Sequence, residues 1–214
     1  MATSKTTLLI ACGALAREIT WLIDTNGWRG VEVTCLPADL HNYPKKIPDG
    51  MRDKIRAAKA TGRYGKILAL YADCGTGGML DAVLKEEGVE RIPGAHCYEF
   101  YTGSQAFMEM AEEELGTLYL TDYLTRFFDR LIISGLGLDR HPELRNDYFG
   151  NYTRIVYLAQ TEDAELVEKA RAAADRLDLA FEVRQTGMGG LAEFIESHIE
   201  KDGKNGETDS RLLA

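Results

Sequence analysis

Short apolar runs alternate with helical stripes along the chain. Residues 7–11, 31–36, 66–72, 154–159 and 179–184 are brief, apolar and partly β-branched, the pattern of buried strands, and residues 90–92 form a weaker sixth. Between them, spacings of three and four put Leu15, Ile19, Leu22 and Ile23 on one helical face. Leu80, Val83 and Leu84 repeat the pattern, as do Phe107, Met110 and Ala111, and then Leu124, Phe127, Phe128, Leu131 and Ile132. Further on, Leu166, Val167, Ala170, Ala174 and Leu177 make a stripe behind a capping sequence at Thr161, and Leu191, Phe194, Ile195 and Ile199 make the last.

Strands that alternate with helices call for crossover connections and therefore for parallel pairing with helices on both faces. The expectation is a single doubly wound, Rossmann-like α/β domain over residues 1–200, with a mainly parallel sheet of about six strands. The Gly- and charge-rich residues 201–214 read as a frayed tail, and residues 135–152, rich in Gly, Asn and Tyr without clear periodicity, read as a functional loop or lid.

Composition narrows the function classes. The 214 residues carry a formal charge of −9, with Lys and Arg scattered singly, so there is no electrostatic footprint for nucleic acid. No apolar run approaches the roughly 20 residues that span a bilayer, and the first residues lead straight into a strand without a leader pattern. The expected location is the cytoplasm, where disulfides are rare and thiols serve packing, metal binding or catalysis. The four Cys and four His are therefore the residues to place.

In open α/β sheets, ligands bind outside the carboxyl ends of the strands. Cys12, Cys74 and Cys97 all fall there, where a strand passes into a helix, with His96, Asp73 and Glu99 close in sequence. Helix N-termini favour thiolates. Three thiolates together repel unless a cation holds them, so Cys12, Cys74 and Cys97, with or without His96, suit zinc first, and iron or an iron–sulfur cluster next. The competing account is that each is a small buried hydrophobe at a tight turn. Cys35, inside the second strand, reads as core.

Two glycine-rich turns, Gly75-Thr76-Gly77-Gly78 and Gly187-Met188-Gly189-Gly190, follow strands and open helices, so their N–H groups could cradle an anion; glycines there also serve purely steric ends. His41, His96 and Glu99 are the candidate proton carriers. Arg140, in the irregular loop, is placed to meet an acidic ligand. His141 reads as an exposed alternative in that loop, and His198 as structural.

Residues 11–15, 36–42, 73–78, 94–101, 119–122, 135–144 and 148–152, taken in order, resemble a prokaryotic family classed as a domain of unknown function, number 1638. The resemblance covers nearly the whole chain outside the tail. It implies a setting beside corrinoid-dependent one-carbon methyltransferases, and a corrinoid as a further cofactor to consider.

The leading expectation is a metal–thiolate protein in one-carbon metabolism whose open metal position activates a thiol or water, as a transferase or hydrolase. A non-catalytic accessory protein for a corrinoid or corrinoid methyltransferase is the second. A metal-free enzyme with a cysteine nucleophile is the third. The expected ligands are small anions or thiols, and a homo-oligomer is left open.

Overall fold

The computed structural model describes residues 6–199; the tail at 201–214 lies outside them. The strands are β1 (Thr6–Cys12), β2 (Val31–Leu36), β3 (Tyr64–Leu70), β4 (Glu90–Arg91), β5 (Thr117–Leu120), β6 (Arg154–Ala159) and β7 (Ala180–Gln185). The α-helices are α1 (Ala16–Asn26), α2 (Ile47–Thr61), α3 (Met79–Glu87), α4 (Glu99–Thr102), α5 (Ser104–Glu113), α6 (Asp122–Arg126), α7 (Arg145–Phe149), α8 (Ala164–Leu177) and α9 (Gly189–His198).

The protein is a mixed α/β structure with parallel sheets, but the strands form two sheets rather than the single sheet of about six expected. The first has the order β2-β1-β3-β4 and the second β5-β6-β7, and every pairing is parallel. The reason for the split lies at β4. It is two residues long and pairs with β3 alone, after which the chain enters α4 and α5 and starts a new sheet at β5. The expected strands are all present, and β5 is additional.

Alternation along the central strands shows how each sheet is clothed. On β1, Leu9 and Ala11 pack with Leu15, Ile19 and Leu22 of the α1 side and with Leu191 and Ile195 of α9. Leu8 and Ile10 face the other way, against Ile47, Met51 and Ile55 of α2 and Leu80 and Leu84 of α3. On β6, Ile155, Tyr157 and Ala159 pack against Leu166, Ala170 and Ala174 of α8, whereas Val156 and Leu158 meet Phe107 and Met110 of α5. Fully burying one such aliphatic side chain is worth about 1.5–3 kcal/mol, so burial on both faces accounts for the unbroken apolar runs of β1 and β6.

α9 follows the last strand of the second sheet yet packs on the first, with Gly190 so near the Phe100 carbonyl of α4 that an added Cβ would sit 2.9 Å from it. This return ties the two halves together. The stripe through Leu124 and Ile132 does not make one helix: α6 ends at Arg126 and a π-helical turn follows at Asp129–Ile133. The expected irregular loop is partly helical as well, with a 3-10 turn at Pro142–Leu144 running into α7.

Candidate functional site

In the first sheet the strand order reverses around β1, so β1 and β3 leave their crossovers in opposite senses and open a crevice at their carboxyl ends. Cys12 is the last residue of β1, Cys74 lies in the turn after β3, and Cys97 lies in the loop between β4 and α4. All three line one cavity, which leaves about 180 Å³ for the centres of water-sized molecules. The second half supplies its far wall, including Tyr119, Thr121, Tyr123, Leu131 and Phe149.

The turn carrying Cys74 is shaped by its own carboxylate. Asp73 accepts hydrogen bonds from the Thr76 hydroxyl at 2.6 Å, the Gly77 amide at 3.0 Å and the Gly78 amide at 2.8 Å. Burial opposes ionisation of Asp73, but these donors outweigh it and hold the carboxyl below its usual range. The expected anion cradle is thus already filled by a side chain of the protein. Gly75, Gly77 and Gly78 adopt φ of 81°, 62° and 84°, which glycine tolerates. Cys74 adopts φ 49°, uncommon for a residue with a Cβ and a form of strain that gathers at functional sites.

The Cys97 loop is strapped on two sides. Arg91 donates to the carbonyls of Ile92 and Gly94, each at 3.0 Å, while the Glu99 carboxylate accepts from the amides of Ala95 at 2.6 Å and His96 at 3.1 Å. Burial again opposes ionisation, and the Ser104 hydroxyl with the two amides keeps Glu99 below its ordinary range. The Asp73 and Cys74 amides donate to the Gly94 and Ala95 carbonyls at 3.2 and 2.9 Å. The two cysteine-bearing segments are therefore laid side by side.

The thiols differ in their electrostatics. The neighbouring Cys97 thiol, with backbone donors at Cys97 and Ala72, outweighs burial and holds Cys74 below the ordinary thiol range. The same pairing of thiols, and then burial, push Cys97 well up. Cys12 is also pushed up by burial, although the Ala14 backbone and the Tyr71 hydroxyl bond to it. The helix-terminus effect expected for all three is thus not what sets them apart: at Cys74 the work is done by Cys97. Burial pushes Tyr71, Tyr98 and Tyr101 up, so their hydroxyls stay protonated beside the sulfurs.

The remaining candidates are dispersed. His41 lines the cavity; desolvation against the cavity wall, then the charge of His96, lower its pKa, so it is neutral at pH 7. His96 is exposed, with its ring 6.2 Å from Tyr98 and 6.1 Å from Phe107, and it does not line the cavity. Glu99 lines a separate cavity beside α9, and its carboxylate holds the Cys97 loop. Gly187 and Gly189 belong to the turn into α9 and do not line the thiol cavity, and exposed Arg140 lies against Asp139 at 3.7 Å. His141 is exposed beside Glu143, and His198 bonds Phe194 and Glu90 from α9. Cys35, half-buried on the edge strand β2, is outside the cavity.

Residue-by-residue reading missed the tyrosines. Tyr71 directly follows β3, Tyr98 directly follows Cys97 and Tyr101 lies within α4, so the same strand-end rule applied to aromatic residues would have found them. Among the described residues, no Asp, Glu, Lys or Arg lines the cavity, and no group of three His, Cys, Asp or Glu is arranged to hold a metal ion. No helix among them is long and apolar enough to cross a membrane.

Fold and site together define a two-sheet α/β protein with a cysteine-floored, aromatic cavity between its halves. The chain belongs to a family of proteins of unknown function, DUF1638, whose profile matches residues 35–195. No curated protein and no solved structure matches it.

Proposed function

We propose that the cavity is a thiol reaction centre for a small, uncharged substrate, with Cys74 as its nucleophile. The carrying observation is that Cys74 and Cys97, on segments joined by the Cys74 amide and the Ala95 carbonyl, line one cavity that has no Asp, Glu, Lys or Arg among the described residues. The S–H of Cys97 and nearby backbone donors steady the Cys74 thiolate, and neutral tyrosines surround it, so a soft electrophile needs no cationic partner to enter. In the step, the Cys74 sulfur forms a bond to the electrophilic atom while the leaving group departs with the bonding pair. The Cys97 thiol or solvent then supplies its proton. Neutral His41 at the cavity edge is free to accept a proton. Glu99 acts through the backbone of the Cys97 loop, as a positioning residue.

A second reading keeps the metal–thiolate protein of one-carbon metabolism, and the observation favouring it is the third sulfur, Cys12, in the same cavity. A soft ion, zinc before iron, suits these donors in kind, although they are not gathered into a three-ligand set. In that reading a corrinoid or a corrinoid methyltransferase is the partner to test.

Alkylation separates these readings. With metal-free protein at neutral pH, uncharged iodoacetamide should label Cys74 about tenfold faster than Cys12 or Cys35, as its greater thiolate fraction requires. Anionic iodoacetate should lag behind. Equal labelling of all the thiols would overturn the thiol-centre reading. One equivalent of zinc or iron in anaerobically purified protein, lost in Cys12→Ser and Cys74→Ser, would establish the metal reading instead.

A further inference from the structure

We propose that Cys74 and Cys97 form a reversible thiol–disulfide switch that closes the reaction centre when a low-molecular-weight disulfide is present. This rests on Cys74 being the reactive thiol, and adds that Cys97 is its resolving partner.

Three observations converge on the pair. The Cys74 amide bonds the Ala95 carbonyl at 2.9 Å and the Asp73 amide bonds the Gly94 carbonyl at 3.2 Å, so the segments bearing the two thiols are joined just ahead of Cys97. Each segment is also tied internally, by Asp73 on one side and by Glu99 on the other. The third thiol of the cavity, Cys12, ends β1 and belongs to neither of these two joined segments. Both line a cavity open to an uncharged reagent.

The exchange balances as follows. The Cys74 thiolate attacks one sulfur of the small disulfide; that S–S bond breaks and the first small thiolate leaves, taking the Cys97 proton. The Cys97 thiolate then attacks the Cys74 sulfur of the mixed disulfide and expels the second small thiolate, which is protonated by solvent. Two protein thiols are oxidised to one disulfide, and the small disulfide is reduced to two thiols.

The test uses the reduced full chain, treated with chelator and then incubated with bis(2-hydroxyethyl) disulfide, an uncharged probe. Trapping with N-ethylmaleimide and peptide mapping should show two of the four thiols lost and the Cys74 and Cys97 peptides linked. Dithiothreitol should reverse the link, and iodoacetamide labelling of Cys74 should fall at least about tenfold while it is present. Cys97→Ser should stop at a mixed disulfide on Cys74. A persistent mixed disulfide on the unmodified chain, or a Cys12–Cys74 link, would overturn the switch while leaving Cys74 the reactive thiol. Failure of Cys74 to react with either the disulfide probe or iodoacetamide would overturn both.

Discussion

The carboxyl ends of the two parallel sheets use the same location for different ends. In the second sheet, Asp122 follows β5 and is fully buried. It accepts from the Tyr157 hydroxyl at 2.7 Å, the Gln160 backbone amide at 3.0 Å and the Thr161 hydroxyl at 2.5 Å, while its own backbone amide donates to the Gln160 side-chain oxygen at 2.7 Å. Arg126 lies 3.7 Å away. Those groups close on one another and tie β5 to β6. In the first sheet the strand ends present sulfurs that face a shared cavity beside Tyr71. A strand end thus becomes a clamp where hard donors and acceptors match, and the floor of a cavity where thiols are gathered.

The sharpest way to break this comparison is to open the clamp. Asp122→Ala leaves several buried donors without an acceptor and should cost about 3–5 kcal/mol in urea unfolding. For a chain of this length each kcal/mol lowers the melting temperature by about 2–4 °C. A cost under about 1 kcal/mol would show that the network is dispensable. Asp73→Ala tests the carboxylate clamp on the Cys74 turn; it resembles a helix-cap deletion, so the cost should be about 0.5–2 kcal/mol. Because Asp73 is held below its usual range, its contribution is present above that range and lost as pH falls through its folded value. The variant should lose part of the acid sensitivity of the parent chain, and parallel acid-unfolding curves would contradict this role.

A smaller effect concerns His41. Its folded-state pKa is lowered, so the unfolded chain binds the proton first and stability declines as pH falls through about 6.5 towards the folded value. Urea midpoints of His41→Asn should vary less than those of the parent between neutral and mildly acidic buffer; an unchanged pH slope would remove His41 from this account. The smallest expected stability effect is that of Cys74→Ser, within about 1 kcal/mol, since no closed network depends on the sulfur. The fast phase of iodoacetamide labelling, by contrast, should vanish. A large destabilisation would make the thiol side a clamp like the other.

Several elements are legible from spacing alone. The α8 stripe lies where Leu166, Ala170 and Ala174 place it, behind an Asp163 side chain that accepts from Glu165 and Leu166. Other elements are harder to read. β5 has four residues, too few for alternation to register, and its discovery depends on pairing with β6. α2 carries a helical stripe through Ile47, Met51, Ile55 and Ala58, but Pro48 and Gly50 near its start mask the helix in the sequence. The convergence of Cys12, Cys74 and Cys97 follows from strand ends, whereas the exclusion of His96 from their cavity does not: a residue next to Cys97 in sequence has its ring beside Phe107.

The sequence by itself determined the parallel α/β character, the placement of three cysteines at strand ends and the net acidic charge, because periodicity and composition are read from the chain directly. Only the tertiary structure decided which groups meet. It split the strands at the brief β4, brought α9 back onto the first sheet, turned Asp73 into the glycine turn and joined Cys74 to Cys97. These outcomes depend on hydrogen bonds and contacts between segments far apart in the chain, whose partners no local pattern specifies.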